Sequence, residues 1–203
     1  MKIYLVRHGE TEWNKQKKLQ GQSDIPLNEY GRELARITAE GLKDIPFEAV
    51  YASPLGRAVE TAKIITGDRE VPFTTDERLK EMSFGIEEGG DILKIREDTT
   101  DPLYNFLKKP EYFNPPEKGE SFYDIYARSR SFMEEMLLPL ENQYENILMV
   151  AHGALNRSIL NQIADIPMEN FWQIQLLNCA VSEIVLKNGK FRIAEPGKLY
   201  YEL

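Results

Sequence analysis

Cysteine and histidine are the scarce residues of this chain. Its 203 residues include a single cysteine, Cys179, and two histidines, His8 and His152. One cysteine excludes an intrachain disulfide framework and suits a reducing cytosol. Cys179 follows "LLN" and precedes a strand-like run, so a buried structural thiol is expected there. A basic balance is also missing, since the net charge is −8. That argues against a general nucleic-acid or anionic-membrane surface, both of which reward a basic face. Affinity for an anion must then come from a local cluster of cations. Long apolar runs are lacking too. The first stops at Arg7, too short for a signal-peptide core, and none approaches the length of a membrane span. These absences read as a cytoplasmic protein without a membrane or nucleic-acid partner. No repeat or low-complexity segment interrupts the chain.

What is present is an ordinary globular composition, 42% hydrophobic, on a chain long enough for a sizeable core. Apolar runs rich in β-formers at 2–6, 47–53, 71–75 and 146–152 read as strands. Between them lie helical patterns. Pro26 and Asn28 introduce a helix over 29–45. Ser53-Pro54 reads as the cap and first turn of a helix running to 66. Ser121, with Asp124 in the first turn, opens a long helix over 121–145, and another follows His152. Asn188-Gly189 joins two final strands in a hairpin. Strands alternating with helices predict a three-layer α/β/α sandwich, its sheet mostly parallel with an antiparallel edge strand. Residues 82–120 break the pattern. Glycines, prolines, charges and aromatics interleave there, with room for short helices near 91–97 and 102–108. We read one domain over 1–203 with this segment inserted as a lid.

In open α/β sheets, ligands bind beyond the carboxyl ends of the strands. Arg7, His8 and Gly9 follow the first strand. Ser53 and, one turn later, Arg57 follow the second. Glu81 lies a few residues after the third, and His152 and Gly153 follow the fourth. Two cations, two imidazoles and a carboxylate suit a dianionic phosphate and its transfer. One neutral histidine attacks phosphorus, the arginine forks bind the non-bridging oxygens, and the other histidine donates to the transferring group. A glutamate gives the leaving oxygen its proton and later activates water. Glycine after each histidine leaves room for close approach to phosphate. Other readings stand beside this one. Arg57 is equally placed as a surface helix residue. Glu77, Glu87 and Glu88 compete with Glu81. Histidine is a frequent metal ligand, but no second histidine or cysteine lies at ligand spacing, and arginine is a poor neighbour for a cation.

These same stretches resemble the histidine phosphatase superfamily, the phosphoglycerate mutase-like proteins. "LVRHGETEWN" is similar to its signature, with His8 at the phosphorylated position. "LQGQSDIPLNEYGRELA", "VYASPLGRAVETA" and "GESFYDIYAR" resemble the segments that follow, the second carrying Arg57. "RLKEMSFGIEEG" and "MVAHGALNRSIL" place Glu81 and His152. The resemblance spans nearly the whole chain in order and selects Glu81 over its competitors. It implies that Asn14, Gln20, Gly21 and the backbone at Gly153 approach the phosphate, and that neither metal nor cofactor is needed. Ile86 stands where many relatives have an aromatic residue, and is expected to border the leaving group. Family mutases carry paired arginines in the lid region. Here the lid cations are Arg96, Lys108 and Lys109, mixed with acids. The expected activity is therefore hydrolysis of small phosphomonoesters. A cofactor-dependent mutase and a non-catalytic phospho-ligand-binding module are the alternatives. The lid aromatics Phe84, Tyr104, Phe106, Tyr112 and Phe113 are candidates for packing on the leaving group or in the core.

Overall fold

Continuously apolar central strands set the architecture. In the computed structural model, which describes residues 1–202, the strands are β1 (Lys2–Arg7), β2 (Ala49–Ala52), β3 (Phe73–Thr75), β4 (Asn146–Ala151), β5 (Val181–Lys187) and β6 (Lys190–Lys198). They form one sheet in the order β3-β2-β4-β1-β5-β6. The pairings β2·β3, β2·β4 and β1·β4 are parallel, whereas β5 runs antiparallel to β1 and β6 to β5. The antiparallel edge is thus the whole hairpin, not one strand. β1, β2 and β4 are buried on both faces, as central parallel strands require, while β3 and β6 are exposed edges.

The helices are α1 (Glu12–Lys15), α2 (Glu29–Gly41), α3 (Gly56–Thr66), α4 (Ile92–Glu97), α5 (Tyr104–Lys108), α6 (Phe122–Phe132) and α7 (Gly153–Ile163). Odd-numbered β1 and β4 residues Ile3, Leu5, Ile147 and Met149 pack with Ile125 and Phe132 of α6 and Leu155 and Ile159 of α7. Their even-numbered neighbours Tyr4, Val6, Leu148 and Val150 pack with Ala58, Ala62 and Ile65 of α3 and with Leu42 after α2. The period-two alternation therefore buries the sheet between two helical layers, and the α/β/α expectation holds.

Several boundaries depart from the sequence reading. α2 ends at Gly41 rather than at 45. α3 begins at Gly56, not at Pro54, because the Ser53 Oγ accepts from Leu55 N inside the preceding turn. Its free N-terminus is served from outside, by Asp24 Oδ1 accepting from Gly56 N at 2.8 Å. α6 keeps the Ser121–Asp124 capping box but loses its regular form at Met133. A π-turn over Met133–Leu137 and a 3-10 turn over Leu138–Leu140 complete it, where Pro139 cannot supply the next helical N–H. The segment 82–120 holds α4 and α5 and packs Phe84, Ile95, Leu103, Phe106 and Phe113 into the main core cluster. Among the described residues, no helix is long and apolar enough to cross a membrane.

Candidate active site

β1 and β4 are central neighbours, and their register pairs Arg7 with Ala151. The next residue on each strand is histidine. His8 N donates to Ala151 O at 2.9 Å, and the two rings come to rest with centroids 5.1 Å apart and planes tilted by 58°. His8 Nδ1 lies 2.7 Å from the Gly9 carbonyl. A carbonyl only accepts, so Nδ1 carries the proton and Nε2 keeps its lone pair. His152 is fully buried, and neither of its ring nitrogens has a partner among the described residues. Burial pushes both imidazoles well below the ordinary histidine range. For His8 the next causes are Arg57 and Arg7; for His152 they are Arg57 and His8. Desolvation, more than the arginine charges, holds the rings neutral.

A cavity of about 210 Å³ opens in front of them. Arg7, His8, Asn14, Gln20, Gly21, Arg57, Glu81 and Gly153 all line it, so the structure brings these sequence candidates together. His152 does not line it; its ring sits beside His8, beneath the surface. Arg57 is fully buried rather than a surface helix residue. Its Nη1 and Nη2 donate to the carbonyls of Ser23 and Gly21, both at 2.7 Å, and its Nε is unpartnered among the described residues. Burial lowers its pKa to about 10, so it stays charged at neutral pH. Arg7 Nη1 donates to Leu176 O, and its Nε is likewise free. A fully buried Arg57 and a partly buried Arg7, each with a buried spare Nε–H and only carbonyl partners, suit an anion. Asn14 Oδ1 accepts from Thr11 N and from Asn178 Nδ2, which leaves the amide nitrogen of Asn14 for a ligand.

Glu81 sits at the N-terminus of α7, where its carboxylate accepts from Ala154 N at 3.1 Å and Leu155 N at 3.1 Å. A helix start is a natural place for a carboxylate. The backbone of Glu81 is held by Arg128, whose guanidinium donates to the carbonyls of Arg78, Lys80 and Glu81 and to Glu120.

The competitors of Glu81 fall elsewhere. Glu88 accepts from Gln22 N, Ser23 N, Ser23 Oγ and Phe84 N, fastening the Gln20–Ser23 loop to the inserted segment. Glu77 pairs with Lys80, and Glu87 does not line the cavity.

Two glycine expectations separate. A Cβ on Gly153 would lie 3.5 Å from Arg157 Nη1 and Glu81 Oε2 and 3.6 Å from Arg7 Nε, so this glycine does open onto the polar groups. A Cβ on Gly9 would instead meet Gly31 O at 2.5 Å, so Gly9 is required by the close approach of α2, not by a ligand. Ile86 is a further correction. It is 65% exposed and lies on a separate surface depression with Gln22 and Lys118, because the positive-φ turn at Gly85 swings it outward. The cavity's apolar wall comes from Leu19, Phe84, Ile92, Phe106, Leu107 and Trp172. Tyr104 and Phe113 are not part of it, and Tyr112 is exposed.

The cations Arg96, Lys108 and Lys109 do not line the cavity, whereas Lys18 and Arg157 do. Sequence reasoning missed both. For Arg157 the signal existed: it stands four residues after Gly153, as Arg57 stands four residues after Ser53. Among the described residues, no group of three or more His, Cys, Asp or Glu could hold a metal ion.

The fold and cavity define an α/β protein with paired imidazoles and two arginines at the carboxyl edge of its sheet. The family profile of the histidine phosphatase superfamily, branch 1, matches residues 3–198, and the chain belongs to that superfamily. It is 33% identical over 198 residues to a Hydrogenobacter thermophilus protein assigned as phosphoserine phosphatase 2, covering 98% of this chain and 96% of that one. It is 31% identical to a Yersinia pestis protein assigned as phosphoglycerate mutase GpmB, covering 91% and 84%. The crystal structure of the α-ribazole phosphatase from Shigella flexneri superposes with a TM-score of 0.86 at 26% identity, covering 98% and 96% of the two chains.

Proposed function

We propose that this protein hydrolyses small phosphomonoesters through a phosphohistidine on His8, without a metal ion. The enzyme class, phosphoric monoester hydrolase, follows from the family and its phosphatase relatives. One observation carries the assignment of the nucleophile. His8 Nδ1 is engaged by Gly9 O, which leaves Nε2 a free lone pair in an arginine-lined cavity.

The chemistry follows from the groups present. Arg7, Arg57 and the Asn14 amide bind the non-bridging oxygens, with Gln20 and the Gly21 and Gly153 backbones close by. His8 Nε2 attacks phosphorus, and a P–N bond forms as the ester P–O bond breaks. Glu81 delivers a proton to the departing oxygen. His152 does not line the cavity of the free protein, but its ring lies beside His8 with both nitrogens unpartnered, so it would donate a neutral N–H to the phosphoryl group once that is bonded to His8. Water then attacks phosphorus, Glu81 takes its proton, and the P–N bond breaks to restore His8 and release phosphate. A single cysteine, which can form no intrachain disulfide, suits a reducing, cytoplasmic setting for this reaction.

The test is turnover of p-nitrophenyl phosphate in excess EDTA by wild type and His8→Ala. EDTA-resistant turnover that His8→Ala abolishes is expected. No turnover would remove the phosphatase reading and leave the phospho-ligand-binding module, and loss on EDTA treatment would bring in a metal. The GpmB relative keeps a mutase reading open. That reading requires bisphosphoglycerate-dependent interconversion of 3- and 2-phosphoglycerate, and release of free phosphate alone excludes it.

A further inference from the structure

Most groups that meet at the cavity stand on firm supports. Arg7 ends the buried strand β1 and His8 follows it, His152 follows the buried strand β4, and Arg57 lies in α3. Glu81 is different. It lies on the connection after β3, a three-residue edge strand exposed along its length. Such a strand cannot by itself fix a residue beyond its end. The proposed proton donor therefore needs a support of its own.

Arg128, in α6, and Glu120 supply it. Arg128 Nη1 donates to Arg78 O at 2.7 Å and to Lys80 O at 2.6 Å. Its Nη2 donates to Glu81 O and to Glu120 Oε2, both at 3.0 Å, and its Nε to Glu120 Oε1 at 2.7 Å. All five N–H groups of the fork are therefore engaged. Glu120 Oε2 also accepts from Ser83 N at 2.8 Å, and Glu120 N donates to Ser83 O at 2.9 Å. Gln22 Nε2 adds a bond to Glu81 O at 3.2 Å. The pair thus grips the backbone on both sides of Glu81, while Leu79 and Met82 between the gripped residues are buried in the core. The two side chains are only 17% and 22% exposed, so solvent screens this pair less than an exposed one. Neither residue lines the cavity. Glu120 also ends the inserted segment, next to the Ser121 cap of α6, so the grip ties that segment to the connection carrying the acid.

Resting on the phosphatase reading, we infer that Arg128 and Glu120 are positioning residues for Glu81, holding its backbone so that its carboxyl group meets the leaving oxygen. The nucleophile and the phosphate-binding arginines do not depend on them. An ion pair serving stability alone would affect every ester alike. Positioning of the acid predicts a loss that depends on the leaving group.

The test measures kcat/KM for glycerol 3-phosphate, whose alkoxide needs a proton, and for p-nitrophenyl phosphate, whose leaving group needs none. This quantity ends at transfer to His8, so the later hydrolysis, with Glu81 as base, does not enter it. Arg128→Lys keeps the positive charge, and with it the effect of that charge on His152, but removes the five-donor fork. It is expected to lower kcat/KM for glycerol 3-phosphate by about tenfold to a hundredfold, and for p-nitrophenyl phosphate by less than about threefold. Glu120→Gln should act in the same direction, and it decides the matter by the same ratio if Arg128→Lys does not fold. In a Glu81→Gln background, Arg128→Lys should leave the ratio of the two esters unchanged. Inhibition by inorganic phosphate should also be unchanged. Equal losses on the two esters, no loss on either, or a further change of ratio without Glu81 overturns the positioning role and leaves the phosphatase reading standing. Wild-type protein that releases phosphate from neither ester removes the phosphatase reading, and this inference with it.

Discussion

His8 and His152 face one another at the ends of adjacent parallel strands, with ring centroids 5.1 Å apart and planes at 58°. The sheet register makes this pair, because Arg7 and Ala151 are opposite and each is followed by histidine. Neither ring meets a carboxylate that would favour its cation, and both are neutral for the same leading reason, burial.

That neutrality has a spectroscopic consequence. The chain has two histidines, so proton NMR gives two imidazole signals to follow with pH. Neither should show an inflection near 6.5 in the free protein. A midpoint near that value for either would contradict the buried, neutral pair.

Stability should respond with a definite sign. Both folded-state pKa values lie below the unfolded value of about 6.5, so the unfolded chain takes up protons first as pH falls. The contribution is therefore complete above about pH 6.5. It is lost below that, by up to about 1.4 kcal/mol per pH unit for each histidine. Urea titrations between pH 7.5 and 5 check this, and replacing both histidines should flatten the slope relative to wild type.

Glu81→Gln keeps the shape of the side chain and removes its proton transfer. For an alkyl ester such as glycerol 3-phosphate, the expected loss is about 10² to 10⁴ in kcat/KM. For p-nitrophenyl phosphate, whose leaving group needs no proton, the loss should be far smaller. Equal losses on both would remove the acid role, and so would no loss on either.

Glu88 is expected to be a positioning residue. Glu88→Ala strands the N–H groups of Gln22, Ser23 and Phe84 and loosens the loop whose Gly21 and Ser23 carbonyls hold Arg57. A stability loss of about 1 to 3 kcal/mol is expected. KM should rise more than kcat falls, because the proton donor and nucleophile stay in place. Thermal denaturation and steady-state kinetics check both parts.

Much of this was legible in the residues. The continuous apolar runs of β1 and β4 and the capping pair Ser121 and Asp124 are local signals, and they lead directly to buried central strands and the start of α6. The site residues at strand ends were legible because the sheet delivers them to one edge whatever the loops do. Lys18, Glu88, Asn178 and Trp172 lie on connections, and their places depend on how those connections fold back. Nothing in their spacing reveals it. Ile86 failed for the same reason: one left-handed glycine at Gly85 turned it to solvent. Gly9 failed because its neighbour, Gly31, is distant in sequence and arrives only with α2 packed. The helix over 121–145 was overrun because its regular hydrogen bonding stops at Met133, short of the apolar pattern's end.

The central claim is covalent transfer to His8. Rapid mixing with a phosphorus-32-labelled ester, followed by denaturing quench, measures it directly. The account predicts an acid-labile, alkali-stable phosphoenzyme, with the label in the peptide that carries His8 and absent from His8→Ala. Label on another residue, or turnover by His8→Ala at the wild-type rate, would contradict it.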